Sequence, residues 1–160
     1  MMKNRGRITN IALAADHGGY ELKEHCKKIM EERGIAVQDF GTHSEESVDY
    51  PDMAKPAVQS VLSGAHERAV LICGTGIGMS MTANRYNGIR GTLCHNEYTA
   101  EMARKHNDSN VLIMGGRVTD KETAEKILTV WLDTEFEGGR HKRRIDKIDI
   151  PSQTEESRNA

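Results

Sequence analysis

The sequence predicts an α/β fold in which a five-stranded parallel sheet lies between two layers of helices. Five short runs rich in Ile, Val, Leu and Ala alternate along the chain with longer segments whose apolar residues recur at helical spacing. Glycine or polar residues follow the runs and end them. Alternating strands and helices of this kind form a sheet that is covered on both faces. The expected architecture is therefore a Rossmann-like three-layer α/β/α sandwich.

In the first half of the chain, apolar runs predict three strands separated by two helices. The helix after the first strand places Leu22, Cys26 and Met30 on one apolar face. Pro51 lies at the start of the second helix, and Pro56 is expected to weaken that helix from within. The predicted elements are strands over 10–16, 35–40 and 69–72, helices over 20–33 and 50–62, and a loop over 42–49.

The second half contributes two more strands and four helices. Asp120 is a typical cap before a helix, and the pair Gly138-Gly139 opens the last helix. The predicted elements are strands over 89–93 and 110–114, with helices over 79–85, 97–105, 121–132 and 140–148. The polar tail over 151–160 is expected to be disordered. Residues 1–150 are accordingly predicted to form a single domain.

Composition excludes several classes of function. The formal net charge of −2 gives no general attraction to nucleic acid or to anionic membranes. No apolar run approaches the length of a membrane span, and the first residues lack the apolar core of a signal peptide. Three cysteines without close spacing fit a reducing cytoplasm. The seven histidines show no familiar ligand spacing, so no metal site is expected.

The most informative segment is residues 70–78, where an apolar strand ends in Cys73 and enters the sequence Gly-Thr-Gly-Ile-Gly. Glycines allow the backbone to approach a ligand, and free N–H groups at a helix start bind anions and favour thiolate over thiol. A cysteine at a strand end is more often packed core, but core packing does not require such a loop. The glycine spacing matches neither a dinucleotide fingerprint nor a Walker motif, so a small oxyanion is the expected ligand.

Other polar residues at the ends of elements could join this loop. The pair Asp16-His17 follows the first strand and Arg117 follows the fifth, and ligands bind beyond the carboxyl ends of such strands. Asp16 could equally be a plain helix cap. His106, after a helix, could shuttle a proton or simply interact with the helix dipole. In the basic segment 140–144, the two terminal arginines project from one side of a helix and suit a phosphate, although a solvated face is the default.

Six segments together carry a family resemblance: DHGGYELK (16–23), DYP (49–51), ICGTGIG (72–78), HNDSN (106–110), GGR (115–117) and EGGRH (137–141). This set resembles the type B ribose-5-phosphate isomerases and their sugar-phosphate isomerase relatives. The matches follow the family's order from residue 11 to about residue 149, and only the two ends of the chain lie outside them.

The resemblance implies interconversion of ribose 5-phosphate and ribulose 5-phosphate through a cis-enediolate, without a metal or other cofactor. Cys73 matches the family's base, while Thr75 and His106 match the residues that open the furanose ring. The other matches are substrate-binding residues: Gly74, Gly76, Ile77 and Gly78 for the enediolate, Asn107 for a sugar oxygen, Asp16 and Tyr50 for the sugar, and His17, Arg117, Arg140 and Arg144 for the phosphate.

The resemblance also implies an obligate homodimer and leaves a dimer of dimers open; the cytoplasmic location is expected from the cysteines alone. In the family the last helix crosses to a neighbouring subunit, so Arg140 and Arg144 would complete the partner's site. Relatives that isomerise allose 6-phosphate or galactose 6-phosphate are the nearest alternatives. The presence of Cys73, Thr75 and His106 in one chain favours the ribose enzyme over galactose enzymes with divided subunits. A non-catalytic sugar-phosphate binding module is the alternative from another class, but it has no need of a thiol base.

Overall fold

Five strands form one sheet in which every pairing is parallel. The computed structural model describes residues 7–152 and 157–158. Across the sheet the order is β2-β1-β3-β5-β4, so the direction of strand addition reverses between β1 and β3. In such folds this reversal opens a crevice beyond the carboxyl ends of the two strands. The strands are β1 (Asn10–Ala15), β2 (Ala36–Asp39), β3 (Arg68–Cys73), β4 (Gly91–Leu93) and β5 (Val111–Gly115).

Helices cover both faces of the sheet. A short 3₁₀ helix (His17–Gly19) leads into the first of them. The α-helices are α1 (Tyr20–Glu32), α2 (Tyr50–Leu62), α3 (Ile77–Ala83), α4 (Glu97–Asn107), α5 (Lys121–Asp133) and α6 (Arg140–Ile145). Helices α1, α4 and α5 contribute to the core on one face, and α2 and α3 contribute to the core on the other. The predicted α/β/α sandwich is therefore confirmed.

The alternation of side chains along β1 builds both cores. Ile11 and Leu13 pack towards α1 and α5, whereas Ala12 and Ala14 pack towards α2. All four are fully buried. Because successive side chains of a strand point to opposite faces, a strand buried on both sides must be apolar throughout, as this one is.

Several predicted boundaries shift in the structure. Helix α2 continues through Pro56, losing only the hydrogen bond that the missing N–H would have donated. Helix α3 begins at Ile77, two residues before its predicted start, because Gly76 already provides the turn. Helix α4 extends to Asn107, where Asp108 ends it in the left-handed conformation. Helix α6 ends at Ile145 rather than residue 148.

Little of the polar tail falls within the described residues. Pro151 and Ser152 have no regular secondary structure, whereas residues 157 and 158 are helical. The predicted disorder at 153–156 and 159–160 lies outside the described residues. Within the described ranges, no helix has the length and apolar character needed to cross a membrane.

Candidate active site

Cys73 is the last residue of β3 and lies at the carboxyl edge of the sheet. Its side chain is nearly buried, and its Sγ accepts a hydrogen bond from the N–H of Gly76 at 3.2 Å. The backbone of the glycine loop therefore contacts the sulfur directly. Burial raises the pKa of Cys26 to about 12 and also raises the pKa of Cys94. Both therefore remain protonated core residues, and the position of Cys26 on the apolar face of α1 already predicted this for the first of them.

The loop after Cys73 requires glycine for two different reasons. Gly76 has a φ of 81°, and a Cβ there would lie 2.4 Å from Leu93 Cδ1. At Gly78 a Cβ would lie 2.6 Å from the ring of Tyr50, so that ring packs directly over the loop backbone. The close approach joins Tyr50, at the start of α2, to the same edge of the sheet. Thr75 is exposed between the glycines.

Asp16 and His17 follow β1 on the neighbouring strand. The Oδ1 atom of Asp16 accepts hydrogen bonds from the N–H groups of Gly18 and Gly19 at 2.9 and 3.2 Å, so this carboxylate does cap the 3₁₀ turn. The Nδ1 atom of His17 accepts a hydrogen bond from Val48 N–H at 3.2 Å. In that neutral tautomer, Nε2 is the ring's remaining donor and is available to an anion.

Arg117 brings the end of β5 into the same place. The backbone N–H of Arg117 donates a hydrogen bond to the carbonyl oxygen of Gly74 at 2.9 Å. Its Nη1 atom would lie 3.2 Å from a Cβ built on Gly74, so the guanidinium lies over that glycine. Gly18, beside the end of β1, also approaches Gly74 closely. The carboxyl-edge group, defined as Asp16, His17, Tyr50, residues 73–78 and Arg117, is thus one contiguous surface.

The other predicted site residues lie at the opposite edge of the sheet. His106 and Asn107 form the last turn of α4 rather than following it, which corrects the sequence-based boundary. Helix α4 starts at the carboxyl edge, and from Glu97 to His106 it rises about 14 Å back across the sheet. Shortly afterwards, the carbonyl oxygen of Asn110 accepts a hydrogen bond from Ala69 N–H, at the beginning of β3. His106 therefore lies near the amino edge.

Helix α6 joins this second location. Glu137 N–H donates to Lys105 O at 3.1 Å, which ties the segment before α6 to the end of α4. The buried Arg104 reinforces the junction, because its Nε donates to Thr134 O at 3.1 Å and its Nη1 donates to Ser109 O at 2.6 Å. His106, Asn107, Arg140 and Arg144 are named here the α4–α6 group.

The rings of His106 and His141 stack within this group. Their centroids lie 4.3 Å apart with an interplanar angle of 12°, and His141 Nε2 lies 3.5 Å from Glu137 Oε2. Potential metal-ligating atoms of these three residues lie within 4.8 Å of one another. Nitrogen lone pairs lie in the plane of an imidazole ring, however, so the lone pairs of two stacked, nearly parallel rings lie in separate planes and do not converge on one ion. The stacked arrangement does not fit a metal centre.

The structure thus divides the predicted site in two. It brings together the residues that follow β1, β3 and β5, as the sequence predicted. It does not bring His106 or Asn107 to Cys73 within one chain, because α4 carries them to the far edge of the sheet. Among the described residues, no carboxylate forms an ion pair with the guanidinium of Arg117, Arg140 or Arg144. Both groups therefore carry cations that are free to bind an anion.

Comparison with known proteins shows which family the chain belongs to. The model of the family described as Ribose/Galactose Isomerase matches residues 11–148. The chain belongs to this family. It is therefore a sugar phosphate isomerase by descent, and the matched span includes both groups of site residues.

Individual members of the Ribose/Galactose Isomerase family are similar over nearly their whole length. The crystal structure of a ribose 5-phosphate isomerase from Thermotoga maritima is 52% identical, with a TM-score of 0.87, covering 88% of this chain and 97% of that one. Ribose-5-phosphate isomerase B of Escherichia coli is 43% identical over 88% of this chain and 95% of its own. D-erythrulose-4-phosphate isomerase of Pectobacterium atrosepticum is 40% identical over 88% of this chain and 93% of its own.

Sequence reasoning missed the residues that support the α4–α6 group. Arg104 is 4% exposed, and its guanidinium bonds fix the end of α4, yet its sequence position marks only an ordinary helix C-terminus. The sequence assigns no role to His141, which stands only in the basic segment and in the EGGRH match, although its buried ring stacks on that of His106. Glu137 and His141 are four residues apart, but Glu137 precedes α6, which begins at Arg140, so no helical pattern in the sequence marks this pair.

Proposed function

We propose that this chain is a metal-independent aldose-ketose isomerase that interconverts ribose 5-phosphate and ribulose 5-phosphate, with Cys73 as the base. The observation that carries the proposal is the hydrogen bond of 3.2 Å from Gly76 N–H to the Cys73 sulfur, beside the unpaired guanidinium of Arg117. A thiol needs such an environment to act as a base near pH 7.

The proton transfer is carried out by one group. The Cys73 thiolate removes the proton from C2 of the open-chain aldose, and the C–H electrons form the C1–C2 double bond as negative charge passes to O1. The O2–H proton then passes to O1, which leaves the negative charge on O2. As the carbonyl re-forms at C2, the C1–C2 electrons take the proton back from the thiol at C1 and the thiolate is regenerated. Backbone N–H groups of residues 74–78 stabilise the cis-enediolate, because its charge is present only during the reaction. No electrons leave the sugar, so no redox cofactor is needed.

Substrate binding is assigned to the polar residues around this thiol. Asp16 and Tyr50 contact the sugar, and Tyr50 is supported in this role by its packing over Gly78. His17 and Arg117 contact the phosphate, for which the Nε2 donor of His17 and the unpaired guanidinium are suited. Binding energy from the remote phosphate then helps to position the reacting carbons.

The α4–α6 group acts on the substrate of a second copy. His106 opens the furanose ring together with Thr75, Asn107 contacts a sugar oxygen, and Arg140 and Arg144 complete the phosphate site. Because His106 lies about 14 Å from the carboxyl edge along α4, a single chain cannot place it beside its own Cys73. A two-fold homodimer that sets one chain's amino edge against its partner's carboxyl edge supplies both groups. Three free, buried cysteines suit the cytoplasm as the location of this dimer.

Sugar length is the open variable of this proposal. The similarity to a D-erythrulose-4-phosphate isomerase favours a four-carbon sugar phosphate as the second candidate substrate. Allose 6-phosphate and galactose 6-phosphate would need a longer site. The exposed loop over 42–49, which contacts His17 through Val48, is the element expected to set the limit.

The test compares turnover of D-erythrose 4-phosphate, D-ribose 5-phosphate and D-allose 6-phosphate in the presence of EDTA. The wild-type chain is expected to act best on ribose 5-phosphate and to resist the chelator. Cys73→Ala should lower kcat by about a thousandfold or more, while still binding ribose 5-phosphate. Cys94→Ala is the matched control, because Cys94 is also a buried thiol beyond a strand end, and it should keep activity within about threefold.

Each component of the proposal has its own contradicting result. Full activity in Cys73→Ala would refute the base. Loss of activity with EDTA that zinc or manganese restores would refute metal independence. Preference for another sugar would keep the chemistry and change the substrate, whereas binding without turnover in the wild type would establish a binding module.

A further inference from the structure

His141 has no role in the proposed reaction, yet its ring stacks on the ring of His106. It is 6% exposed, whereas His106 is half-buried, and the two rings stack at 4.3 Å and 12°. A flat stack restricts rotation of the more exposed ring about χ2, which is otherwise a broad torsion. His141 therefore fixes the plane in which the ring nitrogens of His106 point.

The groups around His141 favour its neutral form, which avoids charge repulsion between the two stacked rings. Burial lowers the pKa of His141, and the positive charges of His106, Arg140 and Arg144 lower it further, while Glu137 acts in the opposite sense. These are the charged groups that face it from α4, from α6 and from the preceding segment. A neutral His141 can lie against His106 in either protonation state, whereas two imidazolium rings at 4.3 Å would repel each other.

Hydrogen bonds outside the ring pair also hold α6 against α4. His141 belongs to α6, whose preceding segment is tied to α4 by Glu137 N–H and by Arg104. The helix that carries the His141 ring is thus anchored to α4 by one backbone hydrogen bond and by the buried Arg104 side chain. A proton-transfer group needs this support because its nitrogen must lie within hydrogen-bond reach of the substrate oxygen.

We propose that His141 is a positioning residue for His106, and that its stacked ring sets the direction from which His106 exchanges a proton with the furanose ring oxygen. The inference rests on the proposed function, in which His106 opens the sugar ring. It predicts that the flat ring matters more than its nitrogens, so Phe at this position should substitute for His and Ala should not.

The experiment measures kcat and KM for ribose 5-phosphate in His141→Ala, His141→Phe, His106→Asn and the double variant His106→Asn/His141→Ala. His141→Ala should lower kcat about 10- to 100-fold with little change in KM, since a misplaced group loses rate. His141→Phe should stay within about threefold of wild type. In the His106→Asn background, adding His141→Ala should cost less than about twofold, because coupled residues are not additive. The thermal unfolding midpoint of each variant is recorded beside the kinetics.

The outcomes separate the inference from the function beneath it. If His106→Asn turns over like wild type, the assigned role of His106 is wrong and the inference is refuted with it. If His106→Asn is impaired but His141→Ala costs the same factor in both backgrounds, only the positioning role is refuted. A change in KM alone would show that His141 acts through Arg140 and Arg144. Equal losses in His141→Ala and His141→Phe would also overturn the inference, and the Phe variant keeps the test valid if the Ala variant unfolds.

Discussion

The carboxyl-edge group and the α4–α6 group are built in opposite ways. The first is assembled from the segments that follow β1, β3 and β5, joined by Tyr50 at the start of α2, and the glycines at 74, 76 and 78 bring backbone and side chains together. The second stands on the end of one helix and on a short helix packed against it, secured by the guanidinium of Arg104. The first group provides close backbone contact, while the second provides side chains at the end of rigid elements. Close backbone contact suits the enediolate stabilisation proposed for the first group, and rigidly held side chains suit the ring opening and phosphate binding proposed for the second.

The strongest test of the comparison is complementation between the groups. Cys73→Ala and His106→Asn chains, each impaired alone, are co-refolded so that mixed dimers form. If each site takes one group from each copy, a mixed dimer has one intact site, and statistical mixing should restore about a quarter of wild-type activity. The measurement is turnover of ribose 5-phosphate before and after mixing. Two Cys73→Ala preparations mixed together are the control, and no recovery in the real mixture would place both groups in the same chain's site.

A smaller effect is expected from the cations of the α4–α6 group. Arg144→Ala should raise KM for ribose 5-phosphate about 10- to 100-fold with kcat nearly unchanged, because a charge-assisted phosphate contact contributes mainly to binding. Arg143→Ala is the matched control, since Arg143 is an exposed neighbour on the same helix that points in another direction. The two variants are compared by steady-state kinetics. Equal changes in KM would show a general effect of charge rather than a specific contact.

The smallest effect on activity, together with a clear effect on stability, is expected from a buried ion pair at the end of β2. Lys23 is fully buried and pairs with the nearly buried Asp39 at 2.5 Å. Asp39 also accepts the Gly41 N–H at 2.9 Å, just before the loop that leads to Tyr50. Asp39→Asn should reduce the free energy of unfolding by about 3 kcal/mol, because it leaves the buried ammonium with only the more exposed Glu24 carboxylate, at 2.9 Å, as its charge partner.

The pH dependence of this pair has a definite sign. Burial alone would raise the pKa of Asp39, but hydrogen bonds from Lys23 and Gly41 and the charges of Lys23 and Lys27 hold it below its usual value. The contribution of Asp39 to stability is therefore complete above the unfolded-state pKa and is lost as pH falls through the folded-state pKa. Urea unfolding at successive pH values should show a steeper acid loss for wild type than for Asp39→Asn. Asp133→Asn, which breaks the more exposed pair with Arg33, is the control and should change stability by about 1 kcal/mol or less.

The success of the sequence analysis differs between the two groups for a physical reason. Parallel strands bring their carboxyl ends to one edge, so Asp16, Cys73 and Arg117 could be placed together from strand positions alone. The location of His106 depends on the length and direction of α4, and the predicted helix ended at residue 105. The contact of His106 with His141 depends on how α6 packs against α4, which no local spacing encodes. Sequence pattern predicts what lies on one edge, whereas packing determines what lies on the other.

The separation of the two groups by about 14 Å along α4 has a kinetic consequence for the proposed dimer. A lone chain would hold Cys73 without His106 at its carboxyl edge. At its amino edge it would hold His106 without Cys73. Specific activity would then depend on chain concentration, falling on dilution below the dissociation constant of the dimer and returning on reconcentration. Assembly, and not only the abundance of the folded chain, would set how much catalyst a cell possesses.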